Sequence, residues 1–434
     1  MNIFSTIKGS LNYPRALIAA TLAGALFHAV PSMALELKLE SWRKDDKIFW
    51  EQTLIPAFEK KHPGIKVRFT PENPIEYDAK LDARLANQYA GDLIFCRPFD
   101  NANKLYQRAQ LATLPPALLL NFDENAKKPW TTDDGKDTFC VPVAEAIHGV
   151  FYNKRIFKEM GLVPPKTQKE FFQLLAKIKA QRQEIPLALG TADMWEATQV
   201  VFTGAGPSFW AGEKGRQALM NGQAKFTDPG FVKAWQFLAD LRPYLPLDFA
   251  TFSNSDAQLM FASENAVLFP TGSWDIPWMR YTKITHRKNL VDFGVFKFPP
   301  QNLEDQCQVS RHPDFGIGLN AASPDKEAAM LFLKWLGSRD FATIMPQALS
   351  GFFSLSNYEI ETSDLIGEEM LSWGKECAET VRLNSEKLNR VWPSMEEELW
   401  LTNVNVLHGR KSPAEAAAYI QKINERNRYI PQRQ

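Results

Sequence analysis

Trp42 and Arg43 directly follow a run in which Leu35, Leu37 and Leu39 alternate with polar residues, the two-residue period of a strand. Arg97 and Asp100 follow a short apolar run at 91–96. Trp195 lies at the start of a helical stretch, and Trp274 with Asp275 follows the turn that closes a predicted strand at 266–270. In α/β proteins, ligand clefts are built where strands end and helices begin. Indole faces and forked Asp or Arg side chains in one cleft suit a ligand with apolar C–H faces and many hydroxyl groups, because the rings stack and the forks hydrogen-bond. Glu145, just past Pro142, can reach a cleft floor, and Phe352, after Gly351, can line a cleft from a later crossing. Trp50, Trp235 and Trp335 fall instead on apolar helical stripes and read as core.

Catalytic signatures are missing. HExxH, GxSxG, Walker A and GxGxxG do not occur, and His62, His148, His286, His312 and His408 stand at spacings that suit no metal. The expectation is a chain with no cofactor, no metal and no enzymatic step. One reading stays open, since a retaining glycoside hydrolase needs only two carboxylates brought together in space. Lys plus Arg (50) equals Asp plus Glu (50), so no global charge recruits nucleic acid or anionic lipid.

The elements that must position these residues alternate. Strand, helix, strand, helix is the order read over 35–110, the signature of a parallel sheet covered by helices in an α/β protein. The 434 residues suit two lobes better than one small core. Residues 140–167 read as the crossing from one lobe to the next, with two β-prone runs and a helix stopped by Pro164 and Pro165. A capping box of Thr167 and Glu170 starts another helix. Residues 299–313 read as a polar loop, 315–320 as a strand, and the tail as helix-rich. At the start, Lys8 and Arg15, an apolar run at 16–30 and Ser32-Met33-Ala34 predict a signal peptide (1–34) cleaved after Ala34, which places the mature chain in the periplasm. Cys96, Cys140, Cys307 and Cys377 allow three disulfide connectivities, or remain thiols.

Several blocks in order carry a resemblance: FEKKHPGIKV at 58–67, GDLIF at 91–95, VFYNKRIFKEMGLVPPKTQKEF from 150, KFTDPGFVKAW, AVLFPTGSW and GIGLNAASPDKEAAMLFLKWL at 316–336. Together they resemble the extracellular solute-binding proteins of ABC importers, in the carbohydrate-binding group that includes maltose-binding protein. The resemblance implies a two-lobe periplasmic-binding-protein fold, with 35–142 and 313–358 in one lobe and 143–312 and 359–434 in the other. It implies a carbohydrate ligand, an oligosaccharide, held by lobe closure, and a monomer that delivers it to permease subunits with a cytoplasmic ATPase. It also implies that Trp274 stacks on the ligand, with Asp275 accepting hydroxyl protons. Cys96 stands where the group's pattern has a Trp, so that contact is lost or passes to Phe99. On this lobe map, Cys96–Cys140 and Cys307–Cys377 are the preferred pairs, because a cross-lobe disulfide would block hinge motion. Arg43, Lys44 and Arg97 keep a sugar phosphate such as glycerol 3-phosphate as an alternative ligand.

Overall fold

The computed structural model describes residues 34–286, 291–362, 364–383, 386–390 and 394–429; the expected signal peptide, up to Met33, lies outside the described residues. Ten strands follow in chain order: β1 Leu35–Ser41, β2 Ile65–Pro71, β3 Leu93–Cys96, β4 Cys140–Asn153, β5 Ile185–Leu187, β6 Ala266–Gly272, β7 Phe293–Phe296, β8 Gln308–Leu319, β9 Phe353–Ser354 and β10 Ala378–Thr380. The first sheet region runs β2-β1-β3-β8-β4. Its parallel pairs β1–β2 and β1–β3 carry the alternating Leu37, Leu39 and Phe69 side chains into the core.

Two long strands connect everything else. From Cys140 to Ile147, β4 runs antiparallel to β8, which in turn pairs with β3. From His148 onward β4 changes partners and takes β6 and β7, with β5 parallel to β6, to make a second sheet region. The β4–β8 register is irregular between Pro142, Ala144 and Glu145, at the proline that cannot donate to the ladder. The expected loop at 299–313 is overturned in its last part, because β8 begins at Gln308. Val309 and Ser310 are buried there and pair with Glu379 and Thr380 of β10. Their polar neighbours hid the strand from a periodicity reading, and β10 is likewise a strand inside the tail that reads as helical.

The cores are aromatic. Trp50 stacks on Phe69 at 5.7 Å and meets Phe95 edge-on at 5.4 Å, while Phe95 stacks on Phe315 at 4.7 Å. Trp50 lies in a widened turn, Trp50–Leu54, directly before a helix with Pro56 in its first turn. In the second region the helices Pro229–Asp240, Met395–Leu407 and Pro413–Tyr429 pack together, and Trp235 Nε1 donates to Asn403 Oδ1 at 2.6 Å. Full burial of such rings contributes about 1.5–3 kcal/mol each. The hydroxyl of Thr167 caps the helix Gln168–Gln181 by accepting from Glu170 N. The Glu170 carboxylate accepts from Lys166 N rather than completing the box.

Both disulfides are within the expected segments: Cys96–Cys140 ties the end of β3 to the start of β4, and Cys307–Cys377 ties the starts of β8 and β10. The second spans 70 residues of sequence. Replacing both of its cysteines by serine is expected to cost about 2–4 kcal/mol in denaturant unfolding, from the freed unfolded chain. An unchanged midpoint would mean the bridge constrains nothing.

Candidate ligand-binding cleft

The C-terminal ends of β1, β2 and β3 point one way, and the loops that leave them face the second sheet region across a cleft. Trp42, Arg43, Lys44 and Asp45 come from the end of β1, Asn73, Pro74 and Ile75 from beyond β2, and Arg97 from beyond β3. Asp193, Trp195, Gln199, Trp274, Asp275, Arg382 and Trp400 close the other side, with Asp314 of β8 at the floor. The cavity volume is about 100 Å³, below the ~300–1,000 Å³ usual for small-molecule sites.

Of the residues expected at a site, Trp42, Arg43, Arg97, Trp195, Trp274 and Asp275 line this cleft together. Three do not. Asp100 is taken by Arg390, whose Nε donates to it at 2.7 Å. Glu145 accepts from Arg311 in a separate groove near Asp123, Glu213 and Glu379. Phe352 is fully buried, with the Arg43 guanidinium over its ring at 4.6 Å. Phe99 lines another depression beside Lys128 and Asp133, so it does not supply the missing indole. Trp400 adds a further indole to the lining, from a helix whose periodic apolar residues gave no sign of it. Arg382 and Asp314 had no sequence signal either, one lying in an unpatterned tail and the other at the edge of the assumed loop.

Trp274 sits on the junction of the two sheet regions. A Cβ on Gly272 would fall 2.0 Å from its ring, so the bare glycine of the Gly-Ser-Trp turn is what lets the indole fold back. Beneath it, His148 of β4 and His312 of β8 stack at 4.8 Å and 20°, and both meet the indole edge-on, at 5.2 and 6.0 Å. Burial, with help from Arg382, keeps His148 well below its ordinary range and draws His312 down to about 4, so both rings are neutral at neutral pH.

The cleft's charges are compensated. Arg43 forks onto Asp46 at 2.6 and 3.1 Å, and Arg97 shares its Nε–H between the two oxygens of Asp78 while its guanidinium covers Trp42 at 4.4 Å. Burial alone would raise the Asp314 carboxyl, but His312, Arg43 and Arg382 hold it below its usual value. Burial pulls Arg382 down to about 10, still protonated at neutral pH, with Asp314 at 3.9 Å opposing the shift. Asp314 Oδ2, Arg382 Nε and Trp400 Nε1 have no hydrogen-bond partner among the described residues. Burial pushes Asp275 up to about 7 against hydrogen bonds from Thr271 and Gln258, the latter at 2.5 Å.

A family model described as a bacterial extracellular solute-binding protein matches residues 53–364. The chain belongs to that family. This solute-binding protein is 27% identical over 300 residues to the "Multiple sugar-binding protein" of Streptococcus mutans, covering 65% of this chain and 66% of that protein. The chain spans about two thirds or less of the length of the relatives it matches by sequence. Two solved structures are similar in fold. The "Chitin oligosaccharide binding protein" has a TM-score of 0.76 at 19% identity, covering 91% of this chain and 99% of that one. "SBP RafE in complex with raffinose" has a TM-score of 0.74 at 19% identity, covering 90% and 100%. These likenesses give this solute-binding protein its fold class, two α/β lobes facing one another across a cleft.

The raised Asp275 carboxyl sets a pH dependence. Its proton is lost near pH 4 when unfolded but only near 7 when folded. Its destabilising effect is therefore absent below about pH 4 and grows as pH rises to about 7. Asp275→Asn should gain on the wild type by roughly 3–5 kcal/mol between pH 4 and pH 8, measured by urea unfolding at each pH. A pH-independent difference would place the titration elsewhere.

Proposed function

We propose that this protein captures a neutral oligosaccharide in the cleft, closes its lobes around it and delivers it to an ABC permease whose ATPase works on the cytoplasmic side. The lobes are 35–142 with 313–358, and 143–312 with 359–434. It acts as a monomer in the periplasm, after cleavage behind Ala34, and catalyses no reaction. The observation that carries this reading is the cleft lining. Four indoles, Trp42, Trp195, Trp274 and Trp400, share the lining with Asp314 Oδ2, Arg382 Nε and Trp400 Nε1, which have no hydrogen-bond partner among the described residues. A sugar ring fits both demands: its C–H faces cover indoles, and its hydroxyls donate to the carboxylate and accept from the two N–H groups. The similar proteins described as a chitin oligosaccharide binding protein and as a complex with raffinose point the same way.

Charge balance weighs against the sugar-phosphate alternative. Arg43, Lys44, Arg97 and Arg382 face Asp45, Asp193, Asp275 and Asp314 in the lining, and Arg43 and Arg97 hold Asp46 and Asp78 besides. Four cations in the lining are thus matched by four carboxylates, which leaves no net positive charge there to draw a phosphate group.

A hydrolase reading draws on one observation, the opposite displacement of Asp275 upward and Asp314 downward, as in an acid–base pair. Both oxygens of Asp275 already accept hydrogen bonds, from Gln258 and Thr271, which leaves it poorly placed to protonate a glycosidic oxygen.

Thermal unfolding across mono- and oligosaccharides, polyols and glycerol phosphates should give its largest shift with a neutral oligosaccharide, since saturation at one hundred times Kd stabilises by about 2.7 kcal/mol. Trp274→Ala should weaken that ligand at least about tenfold by calorimetry without unfolding the protein. A shift confined to phosphates, or turnover of a chromogenic glycoside, would overturn the proposal.

A further inference from the structure

Asp100, which the sequence suggested as a ligand contact, is occupied on the far side of Arg97 from the cleft by a segment of the C-terminal region. Arg390 Nε donates to Asp100 Oδ1 at 2.7 Å, Asn389 N donates to Asp100 Oδ2 at 3.0 Å, and the two Nη groups of Arg390 fork onto Asp133 at 2.6 and 2.9 Å. Asp100 is almost wholly buried in this contact, with 1% of its side chain exposed, whereas Asp133 is 63% exposed.

Two more polar bridges run beside it. Lys128 faces Glu386 at 3.4 Å, and Glu386 accepts from the buried Arg216 at 2.9 Å. Asn101 donates to Glu396 at 3.4 Å, and Gln199 donates to the same carboxylate at 2.7 Å. On one side, every partner belongs to 100–133. On the other, Glu386 is anchored to Arg216 and Glu396 to Gln199, and Glu396 N donates to Asn389 Oδ1 at the start of the helix Met395–Leu407. The three bridges form a seam of alternating charge across the two lobes as assigned above. The seam meets the ligand cleft at Gln199, and Pro74, Ile75, Arg97 and Trp400 border both spaces, but Arg390, Asp100 and Asp133 do not line the cleft.

We propose that residues 386–390 are an electrostatic latch in which Arg390 holds the lobes closed by engaging Asp100 and Asp133, setting ligand affinity without touching the ligand. This rests on the lobe assignment and closure proposed above. The physical reason is differential contact: a bond made only in the closed form shifts the open–closed equilibrium, and every ligand that needs the closed form gains the same factor. The contact is not a typical surface ion pair of little consequence. Asp100 is desolvated, the Arg390 fork is bidentate on Asp133, and separation would leave a carboxylate that had been paired in a dry seam to be rehydrated. Arg390 is therefore a positioning residue.

The test compares the mature wild type with Arg390→Ala, Arg390→Lys, Asp133→Ala and the Asp133→Ala/Arg390→Ala double variant. Small-angle X-ray scattering of the unliganded proteins reads lobe opening, and calorimetry with raffinose and chitotriose as probes reads affinity. Arg390→Ala is expected to raise the unliganded radius of gyration and to weaken sugar binding about tenfold, and Asp133→Ala to do so about threefold. The double variant should be no weaker than Arg390→Ala, and Arg390→Lys should recover part of the loss. Unchanged scattering for Arg390→Ala overturns the latch whether or not either sugar binds. If that variant does not fold, unchanged scattering for Asp133→Ala, whose exposed side chain has no packing role, does the same. A change in scattering with neither sugar bound upholds the latch and counts against the carbohydrate reading.

Discussion

The pairing of β4 with β8 is the constraint on which the rest depends. Each strand is long enough to serve two neighbourhoods: β4 leaves β8 at Ile147 and continues as the partner of β6 and β7, while β8 passes from β10 to β3. The two sheet regions thus share one continuous strand, β4, braced along its first half by β8, rather than a flexible linker. The register irregularity at Pro142–Glu145 marks where the ladder can bend at least cost, because a proline has no N–H to lose. Closure about such a junction is a hinge motion of whole lobes, in which a few residues absorb the change.

The ligand side chains are placed in relation to that junction. Trp274 rests on His148 and His312, one from β4 and one from β8, so its ring is fixed where these two strands part. Asp314 lies two residues along β8, with Arg43 at 3.8 Å and Arg382 at 3.9 Å. A ligand that bonds to Asp314 and Arg382 therefore reads both sides of the cleft at its floor. The arginines nearest the strand ends, Arg43 and Arg97, are committed to Asp46 and Asp78. They brace the β1 and β3 loops, with the Arg97 guanidinium over Trp42 and the Arg43 guanidinium over the buried Phe352.

Much of this architecture was legible in the sequence for physical reasons. Alternating Leu35, Leu37 and Leu39 can only be a half-buried strand, and Trp42 after it must then sit at a strand end, where the cleft is. The Gly-Ser-Trp turn exposed Trp274 in the same way. What stayed hidden depended on distant partners. Gln308–Leu319 is a strand because Cys140–Ile147 and Ala378–Thr380 flank it, not because of its own period. Asp100 looked like a ligand contact because nothing local reveals that Arg390, 290 residues away, satisfies it. Trp400 reads as one more apolar helix position until the helix is docked across the cleft. Local pattern sets the elements, whereas charge pairing between remote segments decides which polar residues remain free for a ligand.

The account stands most directly on where a sugar binds. A crystal structure of the mature chain grown with the oligosaccharide that stabilises it most should show a ring face stacked on Trp274, hydroxyls bonded to Asp314 Oδ2 and Arg382 Nε, and the ligand enclosed by residues of both lobes. A sugar bound outside the cleft, with Trp42, Trp195, Trp274 and Trp400 untouched, would contradict it.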